Sequence, residues 1–237
     1  MLGIPLKTAS LLLLGLFLAA GVPVATRELR HRLAAPAAPA ASGVAAETRA
    51  LLAQLPVAPA ASMAGYSRER FHHWSQAAKF GWNPPRPDCT TREAALVRDG
   101  QHVQVGDRCQ VLSGTWFDPY TGKTFTRPSD IDIDHVVPLA AAWRAGANQW
   151  DDQRREQYAN DPDVLLSVED NANQEKGDKG PEAWKPPRRE EWCDYARRWI
   201  TIKAKYGLAI IAPYRVGGQT LDERAALLQM LDTCPSS

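Results

Sequence analysis

The stretch DIDIDHVVPLAAAW, residues 130–143, constrains the fold more than any other. Three aspartates stand on alternate positions, and a histidine follows the last. Side chains in a strand alternate between its two faces. A strand here sets Asp130, Asp132 and Asp134 on one face, and the reading puts Ile131, Ile133 and Val136 on the other. The apolar face can be buried. Three carboxylates on one face repel each other unless a metal ion, an arginine or open water meets them. A calcium loop of the EF-hand kind does not fit, because the sixth and twelfth places from Asp130 hold His135 and Ala141 instead of Gly and Glu.

The 237 residues are 44% hydrophobic and 23% charged, which suits one sizeable core. A formal net charge of +1 gives no general support to a nucleic-acid role, so any basic surface must be local. Residues 1–25 carry Lys7 and then an apolar run ending in small residues, the pattern of an export signal. The run falls just short of a membrane span, so an uncleaved anchor is the alternative. Arg27, Arg30 and Arg32 behind it argue mildly against simple export. In either case the chain is expected outside the cytoplasm, secreted or at the cell surface. Residues 26–65, rich in Ala and Pro, read as a linker, which leaves the folded domain at 66–237.

Four cysteines, Cys89, Cys109, Cys193 and Cys234, follow the linker without a CxxC pair. They suggest two disulfides and argue against a zinc knuckle. Of the three connectivities, Cys89–Cys109 with Cys193–Cys234 closes the most local loops. Free thiols in a reducing compartment are the alternative.

YSRERFHHWSQAAKFGWN reads as a short helix with Phe71, Trp74 and Ala78 on one stripe. His72 and His73 are adjacent, point apart on a helix, and read as surface or half-buried groups. CTTREAALVRDG is a short helix or strand ending at Gly100, and the segment from His102 to Phe125 reads as strands with Gly and Asp-Pro turns. LAAAWRAGANQW is helix-like, and DDQRREQYAN is a helix capped by Asp151 or Asp152. DPDVLLSV is a turn and a buried strand, and EDNANQEKGD is a helix closed by Gly177. WCDYARRWITIKAKYGL is a long amphipathic helix with Trp192, Tyr195, Trp199 and Ile202 on its apolar stripe, and LDERAALLQMLDTC is a final helix. The fold class is α+β.

Asp134 and His135 end one strand, VLLSV forms the next, and Asn173 and Lys176 follow on the helix. Strand, strand and helix then bring Asp, His and Asn to one spot. Hydrolysis of a phosphodiester needs a base for water, a cation for the transition state and help for the leaving oxygen. Histidine, with an unperturbed pKa of about 6.5, is a usable base. A carboxylate and an amide oxygen are hard ligands that suit Mg²⁺ or Mn²⁺, with Zn²⁺ or Ca²⁺ as alternatives.

These residues carry a resemblance. DIDHVVPLAAAW, YANDPDVLLSV and NQEKGDKGPEAWKPP, with CTTRE, GTWFDPYTG and WCDYARRWITIKAKYGL, resemble the secreted HNH endonuclease-like family of actinobacteria. That family shares its domain with the C-terminal part of certain modification-dependent restriction enzymes. The resemblance runs from Tyr66 to Cys234. It implies a ββα-metal core embedded in additional helices and short strands, divalent-metal dependence and nuclease chemistry. It also implies His135 as general base, Asp134 and Asn173 as metal ligands, and Lys176 near phosphate.

The sequence departs from the HNH pattern twice. None of the other histidines (His31, His72, His73, His102) can close it, so Asn173 takes that place. Val164 stands where the middle Asn, which orients the base, would align. Asn160, Asp163 or a backbone carbonyl is left for that work. Asp132 reads as a supporting residue paired with an arginine such as Arg92, and Asn171 rivals Asn173 as ligand. Ordinary roles compete throughout: Asp134 paired with Arg144, His135 as a core histidine, Asn173 as a helix cap, Lys176 in solvent.

From Lys176 to Lys205, nine Lys/Arg stand against five Asp/Glu, interleaved with Trp184, Trp192, Tyr195 and Trp199. Such a strip suits a phosphate backbone with stacked bases, or equally an ordinary amphipathic helix. No base-reading motif is visible, so little sequence preference is expected. The expectation is an extracytoplasmic metal-dependent endonuclease acting on DNA, or on RNA. It is expected to be a monomer, with a membrane tether as an option at its N-terminus. The rival is a non-catalytic nucleic-acid or cell-envelope binding module with a vestigial metal site. An envelope hydrolase of the zinc-peptidase kind lacks its HExxH.

Overall fold

A computed structural model describes residues 43–235. Helix α1 (Gly43–Gln54) opens the fold. GVAAETRALLAQ has no proline and is rich in helix formers, and its Ala45, Thr48 and Leu52 fall on one buried face. Leu52 and Leu55 enter the main core, and Arg49 pairs with Asp232. Strand β1 (Val57–Ala58) then lies parallel to a later strand at Ile210–Ile211. Folded structure therefore begins well before Tyr66, inside the stretch expected to be linker. The export segment 1–25, with any tether it supplies, and the linker up to residue 42 lie outside the described residues.

Residues 66–82 are not the helix expected. Single 3-10 turns occupy Arg68–Arg70 and Ala77–Phe80. Trp74 has φ +63°, a left-handed backbone that cannot continue a helix. Phe71 still reaches the core.

Helix α2 (Thr91–Asp99) runs into β2 (Gly100–Val105). β2, β3 (Val111–Phe117) and β4 (Thr124–Phe125) form an antiparallel sheet. Next come β5 (Ile131–His135), α3 (Leu139–Arg144) and α4 (Asp152–Ala159), the last capped by the Asp151 carboxylate. β6 (Leu165–Glu169) pairs antiparallel with β5, Ile131 opposite Glu169 and His135 opposite Leu165. α5 (Asp170–Lys176) follows β6 without a break and ends at Gly177, whose φ of +53° favours glycine. α6 (Trp192–Tyr206), β7 (Ile210–Ile211), the hairpin β8 (Tyr214–Val216) and β9 (Gln219–Leu221), and α7 (Glu223–Leu231) complete the chain. Disulfides join Cys89 to Cys109 and Cys193 to Cys234, the local pairing. The second ties the start of α6 to the end of α7. The architecture is α+β.

Two apolar clusters flank β5. Ile131 and Ile133 pack with Ala95, Leu96, Trp116 and Leu165. Val136, expected beside them, belongs to the main cluster with α3 and α6. Alternation puts His135, not Val136, on the isoleucine side, and Val136 lies beyond the strand. Trp184, Tyr195 and Trp199 are buried in the main cluster and Trp192 is partly buried against it, so three of the four aromatics of the basic strip are core residues. Among the described residues no helix is long and apolar enough to cross a membrane.

Candidate active site

Each aspartate of the opening stretch has its own partner. Asp130 lies before the strand and pairs with Arg127 at 2.9 Å. Asp132 Oδ2 accepts from Asn173 Nδ2 at 3.0 Å. Asp134 Oδ1 accepts from Lys176 Nζ at 2.8 Å, and its Oδ2 from the Tyr120 hydroxyl at 2.7 Å. The helix spacing explains the match. Asn173 and Lys176, three apart, share a face of α5, and that face lies along Asp132 and Asp134, two apart on β5. Arg92, expected on Asp132, instead lies 3.6 Å from Glu93. Arg144 pairs with Asp178 and leaves Asp134 alone.

Lys176 has 0% exposure. Its Nζ also donates to the His135 carbonyl at 3.1 Å. The side chain therefore lies under the site, holding Asp134, and offers no ammonium at the surface for a phosphate. Burial pushes the Asp134 carboxyl up, and Lys176 pulls it part of the way back. Burial, then the Asp134 charge, keeps the Tyr120 phenol protonated, so it is a donor to that carboxylate.

His135 is 4% exposed, and its Nε2 lies 3.0 Å from the Ala159 carbonyl oxygen. A carbonyl only accepts, so Nε2 carries the proton and Nδ1 keeps its lone pair. Burial, then the Arg68 charge, lowers the pKa to about 3, so the ring is neutral at ordinary pH. The orienting group is thus a backbone carbonyl. Asn160 does not meet His135. Its Oδ1 accepts from Ser75 N at 3.0 Å and Thr91 Oγ1 at 2.7 Å. Its Nδ2 donates to the carbonyls of His72 at 2.7 Å and Glu156 at 2.9 Å. Asn160 thereby fixes the end of α4 that carries the Ala159 carbonyl. Asp163 is exposed beside Lys205, and Val164 is core. His73 is half-buried with its ring 6.2 Å from that of His135, and the Trp74 ring is 5.8 Å away.

A cleft of about 190 Å³ brings together Tyr66, Arg68, Asp134, His135, Asn173 and Asp178. Asn171 is exposed elsewhere, in a groove with Lys123 and Glu169. Among the described residues no three His, Cys, Asp or Glu side chains are placed to hold a metal together. The donors fit a two-ligand site of hard oxygens. With Nδ2 of Asn173 committed to Asp132, its amide oxygen is turned away from that carboxylate. Each Asp134 oxygen carries two lone pairs and has one in use.

Residues 91–214 match the family described as GmrSD restriction endonucleases, C-terminal domain. The chain belongs to this family. Among its relatives is an uncharacterized secreted protein of Arthroderma benhamiae (strain ATCC MYA-4681 / CBS 112371). The two are 45% identical over 192 residues, 80% of this chain and 86% of that one. That relative is fungal, so the expected restriction to actinobacteria does not hold. No solved structure matches. As a GmrSD C-terminal domain, the domain is nuclease-like and its substrate class is nucleic acid. The chain is extracytoplasmic, as the secreted relative and the two disulfides agree.

Sequence reasoning missed Tyr120 and Arg68, and it offered a backbone carbonyl beside His135 without saying which. Tyr120 sits in the Asp-Pro turn of GTWFDPYTG, where no single residue stood out. Arg68 lies before the family domain, in a segment where only His72 and His73 drew attention. The basic strip is weaker than its count: Lys176 and Lys203 are buried in ion pairs, and Arg197 and Lys205 pair with acidic neighbours.

Proposed function

We propose that this chain is an extracytoplasmic, metal-dependent endonuclease that hydrolyses phosphodiester bonds in DNA, or in RNA, with little sequence preference. Its β5–β6–α5 unit is read as an HNH-like ββα-metal core. The observation that carries this reading is the meeting of Asp134, His135 and Asn173 at one cleft beside that unit.

His135 is the general base. Its Nδ1 takes a proton from water, and the Ala159 carbonyl on Nε2 holds the ring and favours the imidazolium that forms. Asp134 and Asn173 would hold a divalent ion, Mg²⁺ or Mn²⁺, with Zn²⁺ or Ca²⁺ as less suited alternatives. Such an ion, when bound, neutralises charge on the phosphate and assists the leaving 3′ oxygen. Lys176 and Tyr120 fix Asp134, and Asp132 fixes the Asn173 amide. The products carry 5′-phosphate and 3′-hydroxyl ends.

One observation favours a second reading. Both Asp134 oxygens already accept hydrogen bonds, as they would in a vestigial site of a non-catalytic binding module. Plasmid nicking by the purified protein with Mg²⁺, Mn²⁺ or EDTA, beside His135→Ala, separates the two. Cleavage that needs metal and is lost in the variant supports the nuclease. A folded, disulfide-intact protein that fails to cleave with every one of these metal ions supports the binding module.

A further inference from the structure

We propose that Arg68 contacts the substrate: its guanidinium receives a non-bridging oxygen of the phosphodiester held beside His135, in a cleft that the segment before the family domain completes. This rests on the nuclease reading above and deepens it.

Arg68 lines the same cleft as Asp134, His135 and Asn173. It lies outside residues 91–214, so nothing in the family domain supplies it. The cations that meet the cleft's carboxylates from behind are committed to them. Lys176 is buried on Asp134. Arg144 holds Asp178 through the carboxylate at 2.7 Å and the carbonyl at 2.6 Å. Among the described residues the Arg68 guanidinium makes no hydrogen bond or ion pair. An exposed guanidinium offers a planar fork of donors that matches a phosphate.

The turn that carries Arg68 is fixed at both ends. Phe71 N donates to the Arg68 carbonyl at 3.1 Å, and the Phe71 side chain is buried against Trp143 and Tyr158. On the other side, Tyr66 meets the edge of Trp143 at 5.6 Å, and Trp143 Nε1 donates to the Ser62 carbonyl at 3.0 Å. Asn160 takes hold further along, at His72 and Ser75. That same Asn160 sets the carbonyl behind His135, so base and arginine share one anchor. Arg70, two residues on, shows what a structural arginine looks like in this segment. It donates to the Gly65 carbonyl and stacks over Trp143. Arg68 does neither.

The test compares wild type with Arg68→Ala and Arg68→Lys, with Arg127→Gln as a charge control outside the cleft. Two quantities are measured: plasmid cleavage, and binding of a short fluorescent DNA duplex across a salt series in a His135→Ala background without added metal. Arg68→Ala is expected to lower kcat/KM by about 100-fold, the scale of losing one donor to a transition-state oxygen. Arg68→Lys recovers part of it. The log–log salt slope of duplex binding falls by about 0.9, one phosphate contact. The melting temperature stays unchanged, as does Arg127→Gln activity. Unchanged cleavage and an unchanged salt slope in Arg68→Ala overturn the proposal, and so does a lowered melting temperature that accounts for the loss. If wild type never cleaves, the salt slope alone decides. A slope reduced in Arg68→Ala keeps the phosphate contact while the hydrolytic reading falls. No duplex binding at all removes both.

Discussion

Lys176 Nζ lies 2.8 Å from Asp134 Oδ1, with both side chains withdrawn from solvent. A buried ion pair contributes little net stability, but removing one partner leaves an uncompensated charge. Lys176→Met should therefore lower unfolding stability by about 3–5 kcal/mol, read from urea unfolding. Adding Asp134→Leu should restore much of that stability, and nuclease activity should remain absent. A single variant as stable as wild type would mean that Asp134 needs no counter-ion.

His135 gives the clearest pH prediction. The folded ring binds its proton only near about pH 3. In the unfolded chain the proton binds at about pH 6.5. Between those values the unfolded state holds more protons, so this group's contribution to stability falls as pH falls and is fully present above about pH 6.5. In metal-free protein the His135 ring signals in NMR should not move between neutral pH and about pH 4. Substituting His135→Gln should flatten the acid loss of stability. A ring that titrates near its unperturbed pKa would contradict the burial that positions it as a neutral base.

The sequence made the centre of this site legible because its spacing carries geometry. Two-residue spacing in DIDID and three-residue spacing between Asn173 and Lys176 describe facing surfaces of a strand and a helix. The disulfides were legible because local loops close most readily. Tyr120 was not, since a side chain reaching from a turn to a strand leaves no periodic mark. A backbone carbonyl beside the base was among the alternatives, but not that it is the one of Ala159, because a backbone oxygen has no residue identity to read. The α1 helix was hidden by proline-rich flanks, and the 66–82 segment looked helical because its apolar spacing ignores the backbone reversal at Trp74. Lys176 looked like a surface cation because charge alone does not reveal burial.

The Asn160 side chain binds four groups of the protein and none of them belongs to His135. Asn160→Ala leaves the buried Thr91 hydroxyl, the half-buried Ser75 amide N–H and the His72 carbonyl without this partner. A loss of about 3 kcal/mol is expected, in the range for buried groups left unsatisfied. Cleavage should fall as well, through loosened orientation of His135, even where the variant remains folded. Faster amide exchange at Ser75 would report the same loosening. Unchanged exchange with lost activity would give Asn160 a more direct role.

The two disulfides should separate stability from activity. Cys193 and Cys234 are 41 positions apart and Cys89 and Cys109 are 20 apart. Loop-closure entropy then assigns them about 4 and about 3 kcal/mol respectively. Cys89 lies in the segment that Asn160 clamps: its carbonyl accepts from Ala77 N at 2.9 Å, and Thr91 N donates to Ser75 O at 2.9 Å. Cys193 and Cys234 only join α6 to the end of α7. Replacing Cys193 and Cys234 by serine should cost the larger share of stability in guanidinium unfolding and leave cleavage nearly intact at room temperature. Replacing Cys89 and Cys109 should cost less stability and more cleavage, because the Ser75 segment and the base's anchor loosen together. Equal losses of cleavage in the two variants would mean that activity follows global stability, and the coupling through Asn160 would fall.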